Sequence, residues 1–115
     1  MQPKLSEGEG VRLLREEFVR AGLAIVERAP FEAGGTILSL DGYDPERRVG
    51  FEFVTTEAGD RKAYGPEIVA ALDRKMEEEK AFLLLVDEWD VEGVADLVLV
   101  ARRFLDELRR RGVLP

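Results

Sequence analysis

Hydrophobic residues recur along the chain with two different spacings, and these spacings divide it into helices and strands. One recurrence, every three to four residues, marks a helix face and comprises Val11, Leu14, Phe18 and Ala21. Ser6 and Glu9 precede this face in the arrangement of a capping box, in which each side chain bonds the other residue's backbone N–H. A first helix is therefore predicted over residues 7–21, with Gly22 at its C-terminal end.

Three short segments rich in β-branched and aromatic residues follow the first helix and predict strands. They cover residues 23–28, 36–41 and 49–56. Pro30 and the Gly34-Gly35 pair separate the first two strands, because both residue types interrupt regular structure. Residues 42–47 are predicted to form a turn with Pro45 at its second position. The second and third strands are therefore expected to pair as an antiparallel hairpin.

The C-terminal half contains the pattern of a helix, a strand and a second helix. Pro66 is expected at the first position of the earlier helix, whose buried stripe comprises Ile68, Val69, Leu72 and Met76. Residues 82–86 are apolar at every position, which is typical of a strand that is covered on both faces. Asp90 is expected to cap a last helix over residues 91–111, which Gly112 ends.

The resulting order αβββαβα predicts one α/β domain that spans residues 1–115. The first three strands are expected to form an antiparallel meander, and the fourth to return through the second helix by a crossover. The predicted architecture is a four-stranded mixed sheet with helices packed on it.

The composition excludes several kinds of chemistry. The chain contains no histidine and no cysteine, which excludes Ser-His triads, Cys-His pairs and metal sites built from imidazole or thiolate. General acid–base catalysis would depend on carboxylates, Lys or Tyr. A bound metal would be a hard cation held by oxygen atoms, such as Mg²⁺ or Mn²⁺.

Charge and hydropathy indicate the setting in which the chain works. The net charge of −7 disfavours nucleic acid as a partner, because such binding depends on Lys and Arg that neutralise phosphates. No apolar run approaches the roughly 20 residues of a membrane span, and residues 1–4 lack the apolar region of a signal peptide. A cytoplasmic location away from membranes is therefore expected. The absence of Asn, and 13 Arg against 4 Lys, lead to the hypothesis of a thermophilic source.

Two carboxylates on the hairpin are the candidate catalytic and metal-binding residues. With the turn centred on residues 44–47, Asp41 is expected opposite Gly50 and Ser39 opposite Glu52. Because side chains alternate across a strand, the core face of the hairpin is expected to comprise Leu38, Leu40, Phe51 and Phe53. Asp41 and Glu52 are then diagonal neighbours on the other face, within reach of one cation. The alternative for Glu52 is a plain solvent-facing strand residue.

The αβββαβ order, with an acidic residue on the second strand and a Glu on the third, resembles the PD-(D/E)XK nuclease-like fold over about residues 7–86. In that family the two carboxylates hold a divalent metal, and a Lys two residues after the Glu completes the site. The resemblance implies that Asp41 (or Asp44) and Glu52 are metal ligands. Val54 occupies the Lys position, so the motif is incomplete.

Two further segments contain candidate binding residues. Tyr43 and Asp44 belong to the acidic turn after the second strand. They either bind a ligand or partner, or only stabilise the turn. Asp87, Glu88 and Trp89 follow the fourth strand. An exposed Trp flanked by acidic residues is typical of contact hot spots, whereas the alternative is a lone Trp that is partly buried in the core.

Three functions agree with these features. The leading hypothesis is a small acidic, non-catalytic domain without a cofactor, which contacts a basic protein partner as a monomer or homodimer. The first alternative is a Mg²⁺- or Mn²⁺-dependent nuclease-like protein, or a degenerate relative, that uses Asp41 and Glu52. The second alternative is a sensor of a small ligand or a metal at the sheet edge.

Overall fold

The computed structural model describes residues 4–115, which form three α-helices around a four-stranded sheet. The elements are α1 (Glu7–Arg20), β1 (Val26–Ala33), β2 (Thr36–Asp44), β3 (Val49–Val54), α2 (Pro66–Glu77), β4 (Phe82–Asp87) and α3 (Val94–Arg110). Short 3₁₀ turns cover Arg61–Tyr64 and Glu88–Asp90. Residues 1–3, which belong to the segment without signal-peptide character, lie outside the described residues. Within residues 4–115, no helix combines the length and the apolar character needed to cross a membrane.

The sheet has the strand order β1-β2-β3-β4. The first three strands pair antiparallel as a meander, and β4 pairs parallel with β3, because α2 carries the chain back along the sheet between them. α1 and α3 cover one face of the sheet, and α2 covers the other. The predicted element order and the predicted mixed sheet with packed helices are confirmed.

Two apolar clusters hold the helices on the sheet. The larger one joins α1 and α3 to β3 and includes Leu14, Phe18, Val49, Phe51, Phe53, Leu97, Ala101 and Leu105. The smaller one joins α2 to the other strands and consists of the buried residues Ala33, Leu38, Leu40, Ala71, Leu72 and Leu83. Each large side chain buried in this way contributes roughly 1.5–3 kcal/mol to the free energy of unfolding.

The helix termini agree with the sequence at α1 and differ at α3. Ser6 Oγ accepts the Glu9 N–H and the Glu9 carboxylate accepts the Ser6 N–H, so the capping box is confirmed. α3 begins at Val94 with Gly93 as its N-cap, and the prediction of Asp90 in that role is wrong. The reason is that the residues after β4 first form the 3₁₀ turn Glu88–Asp90, which places Asp90 before the helix.

β1 lies later in the chain than predicted. It covers Val26–Ala33 and therefore runs through Pro30, which was expected to end it. Proline is tolerated at this place because β1 is an edge strand, where a missing N–H need not cost a ladder hydrogen bond.

The register of the β2–β3 hairpin differs from the predicted one by two residues. Tyr43 pairs with Gly50, which the sequence pattern had placed opposite Asp41. The physical reason is a tighter connection, because β2 continues to Asp44 and the turn is confined to residues 45–48.

The alternation of side chains between the two faces of the sheet is broken in the middle of β2. Leu38 and Leu40 belong to the cluster under α2, whereas Phe51 and Phe53 belong to the cluster under α1 and α3. The prediction that these four residues share one face is therefore wrong. The change falls between Leu40 and Tyr43, which both belong to the cluster under α2, and the β1–β2 pairing omits Asp41 and the opposing Arg28, which has a φ of 49°.

Candidate functional site

Asp41 and Glu52 lie side by side between β2 and β3. The backbone N–H of Asp41 donates to Glu52 Oε1 at 2.7 Å, and the backbone N–H of Phe53 donates to Asp41 Oδ2 at 2.8 Å. The two carboxyl groups therefore take the place of backbone carbonyls just beyond Gly42, where the regular β2–β3 pairing ends. The observed register brings the two residues together, whereas the predicted register had made them diagonal neighbours.

Two more acidic side chains complete what we call the carboxylate cluster, which consists of Glu7, Asp41, Glu52 and Asp60. The Thr55 hydroxyl donates to Glu7 Oε2 at 2.7 Å, and the Thr55 N–H donates to Asp60 Oδ1 at 3.1 Å. Asp60 lies close enough to Glu52 for its side chain to raise the pKa of Glu52. The cluster thus joins the start of α1, the two central strands and the loop after β3.

Burial determines the protonation of the carboxylate cluster. Glu52 is 1% exposed, and desolvation raises its pKa far above the usual range, with contributions from the Asp60 side chain and the Asp41 charge. Burial also raises the pKa of Asp41. Desolvation raises the pKa of Glu7 to about 7, and neighbouring acidic groups add to this effect although the hydrogen bond from Thr55 opposes it. A proton on Glu52 therefore stabilises the cluster at neutral pH, and the pKa of Glu7 lies close to neutral pH.

The carboxylate cluster is not arranged as a metal centre in this conformation. Glu52 Oε1 and Asp41 Oδ2 both accept amide N–H groups. Within residues 4–115, no three acidic side chains are grouped so that they could hold a metal ion. Asp41 and Glu52 act here as a hydrogen-bond clip between two strands. Binding of Mg²⁺ or Mn²⁺ by these residues stays a prediction, and it would require the clip to open.

Asp44 and Tyr43, the candidate binding residues of the turn, make structural contacts. The Asp44 carboxylate is 3% exposed and accepts three backbone N–H groups at 2.8–3.1 Å, from Ala24, Glu46 and Arg47. Desolvation acts to raise the pKa of Asp44, but these three bonds outweigh it and lower the pKa. The Tyr43 ring packs edge-to-face on Phe31 at 5.3 Å between centroids. Asp44 thus holds the turn together instead of presenting its carboxylate to a ligand.

The candidate residues after β4 join an ion-pair network to an exposed aromatic side chain. Arg61 pairs with Asp87 and, at 2.8 Å, with the buried Glu88. The side chain of Trp89 is 46% exposed, so the alternative of a partly buried core Trp is wrong. The exposed side chain of Trp89 is available for contact with another molecule. Asp87 and Glu88 instead hold the loop after β3 in place through their ion pairs with Arg61.

An open groove runs along the free edge of β4 between α2 and α3. Its volume is about 460 Å³. The floor is formed by residues 82–85 of β4, and the apolar walls consist of Val69, Leu72 and Met76 from α2 and Phe104 and Leu108 from α3. We call this feature the β4-edge groove.

β4 directs unpaired backbone groups into the β4-edge groove. The Phe82 N–H donates to the Arg48 carbonyl on the β3 side at 2.8 Å. Because successive residues of a strand direct their N–H and C=O groups to opposite sides, Leu83 and Leu85 direct theirs away from β3. In the part of the chain that the structure describes, no strand pairs with this edge.

Comparisons of the chain with models of protein families, with curated proteins and with solved structures each gave no match. The geometry of the molecule is therefore the basis for inferring its function.

Sequence reasoning missed the β4-edge groove, although part of its signal was present. The apolar stripe of α2 and the apolar run 82–86 were both recognised. Both were assigned to the buried core, because the spacing of apolar residues reports which faces are covered and not the order of strands in a sheet. The position of β4 at the edge comes from tertiary pairing alone.

Proposed function

We propose that this chain is a non-catalytic domain that acts by protein–protein contact, and that the β4-edge groove is its contact surface. The observation that carries the proposal is the groove itself, an apolar concavity beside a strand edge without a partner among residues 4–115. Open edges of this kind are usually covered or blunted in natural proteins, because they pair readily with another chain.

The state of the carboxylates supports a contact function over catalysis. A general acid or base must reach the substrate within hydrogen-bond distance, whereas Glu52 is 1% exposed. Asp41 and Glu52 each accept a backbone N–H from the neighbouring strand. The net charge of −7 further supports a cationic partner, since a strongly acidic surface steers such partners towards it.

Site-specific cross-linking tests this proposal directly, because a chain without cysteine accepts a single introduced thiol. Met76→Cys places a photo-cross-linker in the α2 wall of the β4-edge groove. Ile37→Cys is the matched control, since Ile37 is exposed on β2 and far from that edge. In extract of the source cells, we expect one discrete protein adduct from Met76→Cys and none from Ile37→Cys.

A charge placed in the groove provides the specificity control. Val69→Arg, introduced beside Met76→Cys, is expected to abolish the adduct while the circular dichroism spectrum stays that of the folded protein. The same adducts from both cysteine positions, or an adduct that survives Val69→Arg, would contradict a contact function of the groove.

A small apolar ligand is the second candidate for the same groove. Its volume of about 460 Å³ lies in the range of small-molecule sites. Native mass spectrometry of the gently purified protein tests this candidate. A bound non-protein mass that is present in the wild type and lost in Val69→Arg supports it, and a bare polypeptide mass counts against it.

A further inference from the structure

The β4-edge groove offers a partner more than an apolar surface, because its floor is an unpaired strand edge. Leu83 and Leu85 direct their backbone N–H and C=O groups into it, at the spacing of about 6.6 Å between alternate strand residues. Only another extended segment matches such a row of donors and acceptors, because a helix uses its backbone groups internally.

We propose that the β4-edge groove receives an extended segment of a partner protein as a fifth strand, apolar in its centre and carrying Lys or Arg on the side that faces α2. This inference rests on the proposed contact function and specifies its partner. The new strand would be next to β4 and would extend the sheet order to five strands.

The walls of the groove specify the apolar centre. A strand beside β4 lies between the two helices, so its side chains alternate between two apolar surfaces. Val69, Leu72 and Met76 face it from α2, and Phe104 and Leu108 face it from α3. A strand that is covered on both faces is apolar at successive positions, as β4 itself is.

The rim of the groove specifies the charge. Asp73 of α2 is exposed and makes none of the ion pairs found among residues 4–115. Glu107 on the opposite rim is already paired with Arg110 and Arg111. The side of the groove next to α2 therefore carries the available negative charge, which favours a cation on the incoming segment.

The same charges disfavour a second copy of the chain as the occupant. Antiparallel pairing of β4 with its own copy would be two-fold symmetric and would place each α2 beside the other. Asp73 would then face its own equivalent, and two chains of charge −7 would approach each other. A cationic partner segment would be attracted by Asp73 and by the net negative charge of the chain.

The test uses a synthetic extended peptide of about ten residues, with Val and Ile in its centre and, towards both ends, Lys at alternate positions so that the Lys side chains lie on one side of the strand. A peptide with the same centre and Glu in place of each Lys is the charge control, and a peptide N-methylated at alternate residues is the hydrogen-bond control. Binding to the ¹⁵N-labelled full chain is followed by NMR titration and by amide hydrogen exchange. We expect the Lys peptide to slow exchange of the Leu83 and Leu85 amides, and the N-methylated peptide to fail to bind.

Two charge-reversal variants locate the cation on the incoming segment. Asp73→Lys is expected to weaken the Lys peptide about five-fold and to strengthen the Glu peptide, as for a partly exposed ion pair. Glu27→Lys makes the same change of charge on β1, at the far edge of the sheet, and is expected to leave both affinities unchanged. Equal losses in both variants would show non-specific attraction and overturn the proposal.

The remaining outcomes separate this inference from the proposed function. If the peptide shifts the methyl signals of the groove walls while exchange of the Leu83 and Leu85 amides is unchanged, strand addition is overturned and the contact function stands. If exchange of these amides slows as the protein concentration rises in the absence of peptide, the chain associates with itself at this edge, and the proposal of a cationic partner segment is overturned. If no peptide binds to the folded chain while Met76→Cys still forms its adduct, strand addition by such a segment is again overturned.

Discussion

The carboxyl group of Glu52 is buried between two strands and is neutral at neutral pH, because burial raises its pKa far above the usual range. Gln has the same shape and is neutral, so Glu52→Gln is expected to leave the free energy of unfolding at pH 7 unchanged or raised. Glu52→Ala removes the acceptor of the Asp41 N–H and leaves a cavity, and it is expected to cost about 2–4 kcal/mol. Urea denaturation of the three proteins measures both effects. Equal stability of the Ala and Gln variants would contradict the role of this side chain as a clip.

Glu7 is expected to make stability depend on pH between about 4.5 and 7. Its pKa is 4.5 in an unperturbed setting and about 7 in the folded chain, so the folded state binds the proton more tightly in this window. The free energy of unfolding therefore falls as pH rises through the window, and the Glu7 contribution is lost above it. Glu7→Gln removes this dependence, so its melting temperature relative to the wild type is expected to be higher at pH 8 than at pH 5.

Glu9, one half-turn later in α1, provides a control of opposite sign. Its hydrogen bonds to the Ser6 backbone and hydroxyl lower its pKa, so its contribution is present above the unfolded pKa and is lost as pH falls. Glu9→Gln is therefore expected to be less stable than the wild type at pH 8, with the difference shrinking towards pH 3. If both variants gained stability relative to the wild type between pH 5 and pH 8, the pH dependence of the wild type would not arise from Glu7.

Divalent cations test the remaining role of the carboxylate cluster. Because one oxygen atom of Asp41 and one of Glu52 already accept amide N–H groups, we expect millimolar Mg²⁺ or Mn²⁺ to leave the melting temperature unchanged. Binding to the folded state alone would raise it. A rise that occurs in the wild type and disappears in Glu52→Gln would support the metal site implied by the nuclease-like resemblance.

The sequence identified Asp41 and Glu52 as a pair but not what holds them together. Their alternation with apolar neighbours was visible, and it placed both of them on the hairpin face that lies away from the predicted core face. The observed contact depends on the register and on the interruption at Arg28. Both are set by pairing between strands, which no local pattern encodes.

At the scale of elements, α1 approaches β3 closely at one glycine. A methyl group at Gly10 would overlap the ring of Phe53, whereas a methyl group at Gly8 would meet no atom within 4 Å. Gly8→Ala is expected to stabilise the protein by about 0.5 kcal/mol, because alanine favours a helix. Gly10→Ala is expected to destabilise it by about 1–3 kcal/mol, because overlap in the core outweighs the helix preference. Thermal unfolding of both variants checks the contrast, and stabilisation by both would mean that α1 is not seated against Phe53.

The existence of each element could be predicted, and the junctions between elements could not. The α1 capping box is a local signal and is confirmed at Ser6 and Glu9. By contrast, β1 runs through Pro30 because it occupies a sheet edge, and α3 starts at Val94 because a 3₁₀ turn intervenes. Edge position and the path between elements depend on the whole chain, so local signals misplace them.

At the scale of the whole molecule, the acidic charge is expected to keep copies apart. Each chain has a mass of 12.9 kDa and a net charge of −7, and like charges oppose association. Sedimentation equilibrium at low ionic strength is expected to give the monomer mass across the micromolar range. A dimer that strengthens as salt is added and dissociates in Val69→Arg would instead identify the β4-edge groove as a self-association surface.

The unpaired edge of β4 also has a consequence for solubility. Residues 82–86 contain neither charge nor proline, and such segments template fibrils when their backbone is accessible to many copies. In the folded chain, α2 and α3 flank this edge, and the charged residues Lys80 and Asp87 lie on either side of the segment, where they oppose aggregation. Conditions that detach α2 without unfolding the sheet would therefore turn the β4-edge groove into a nucleus for aggregation.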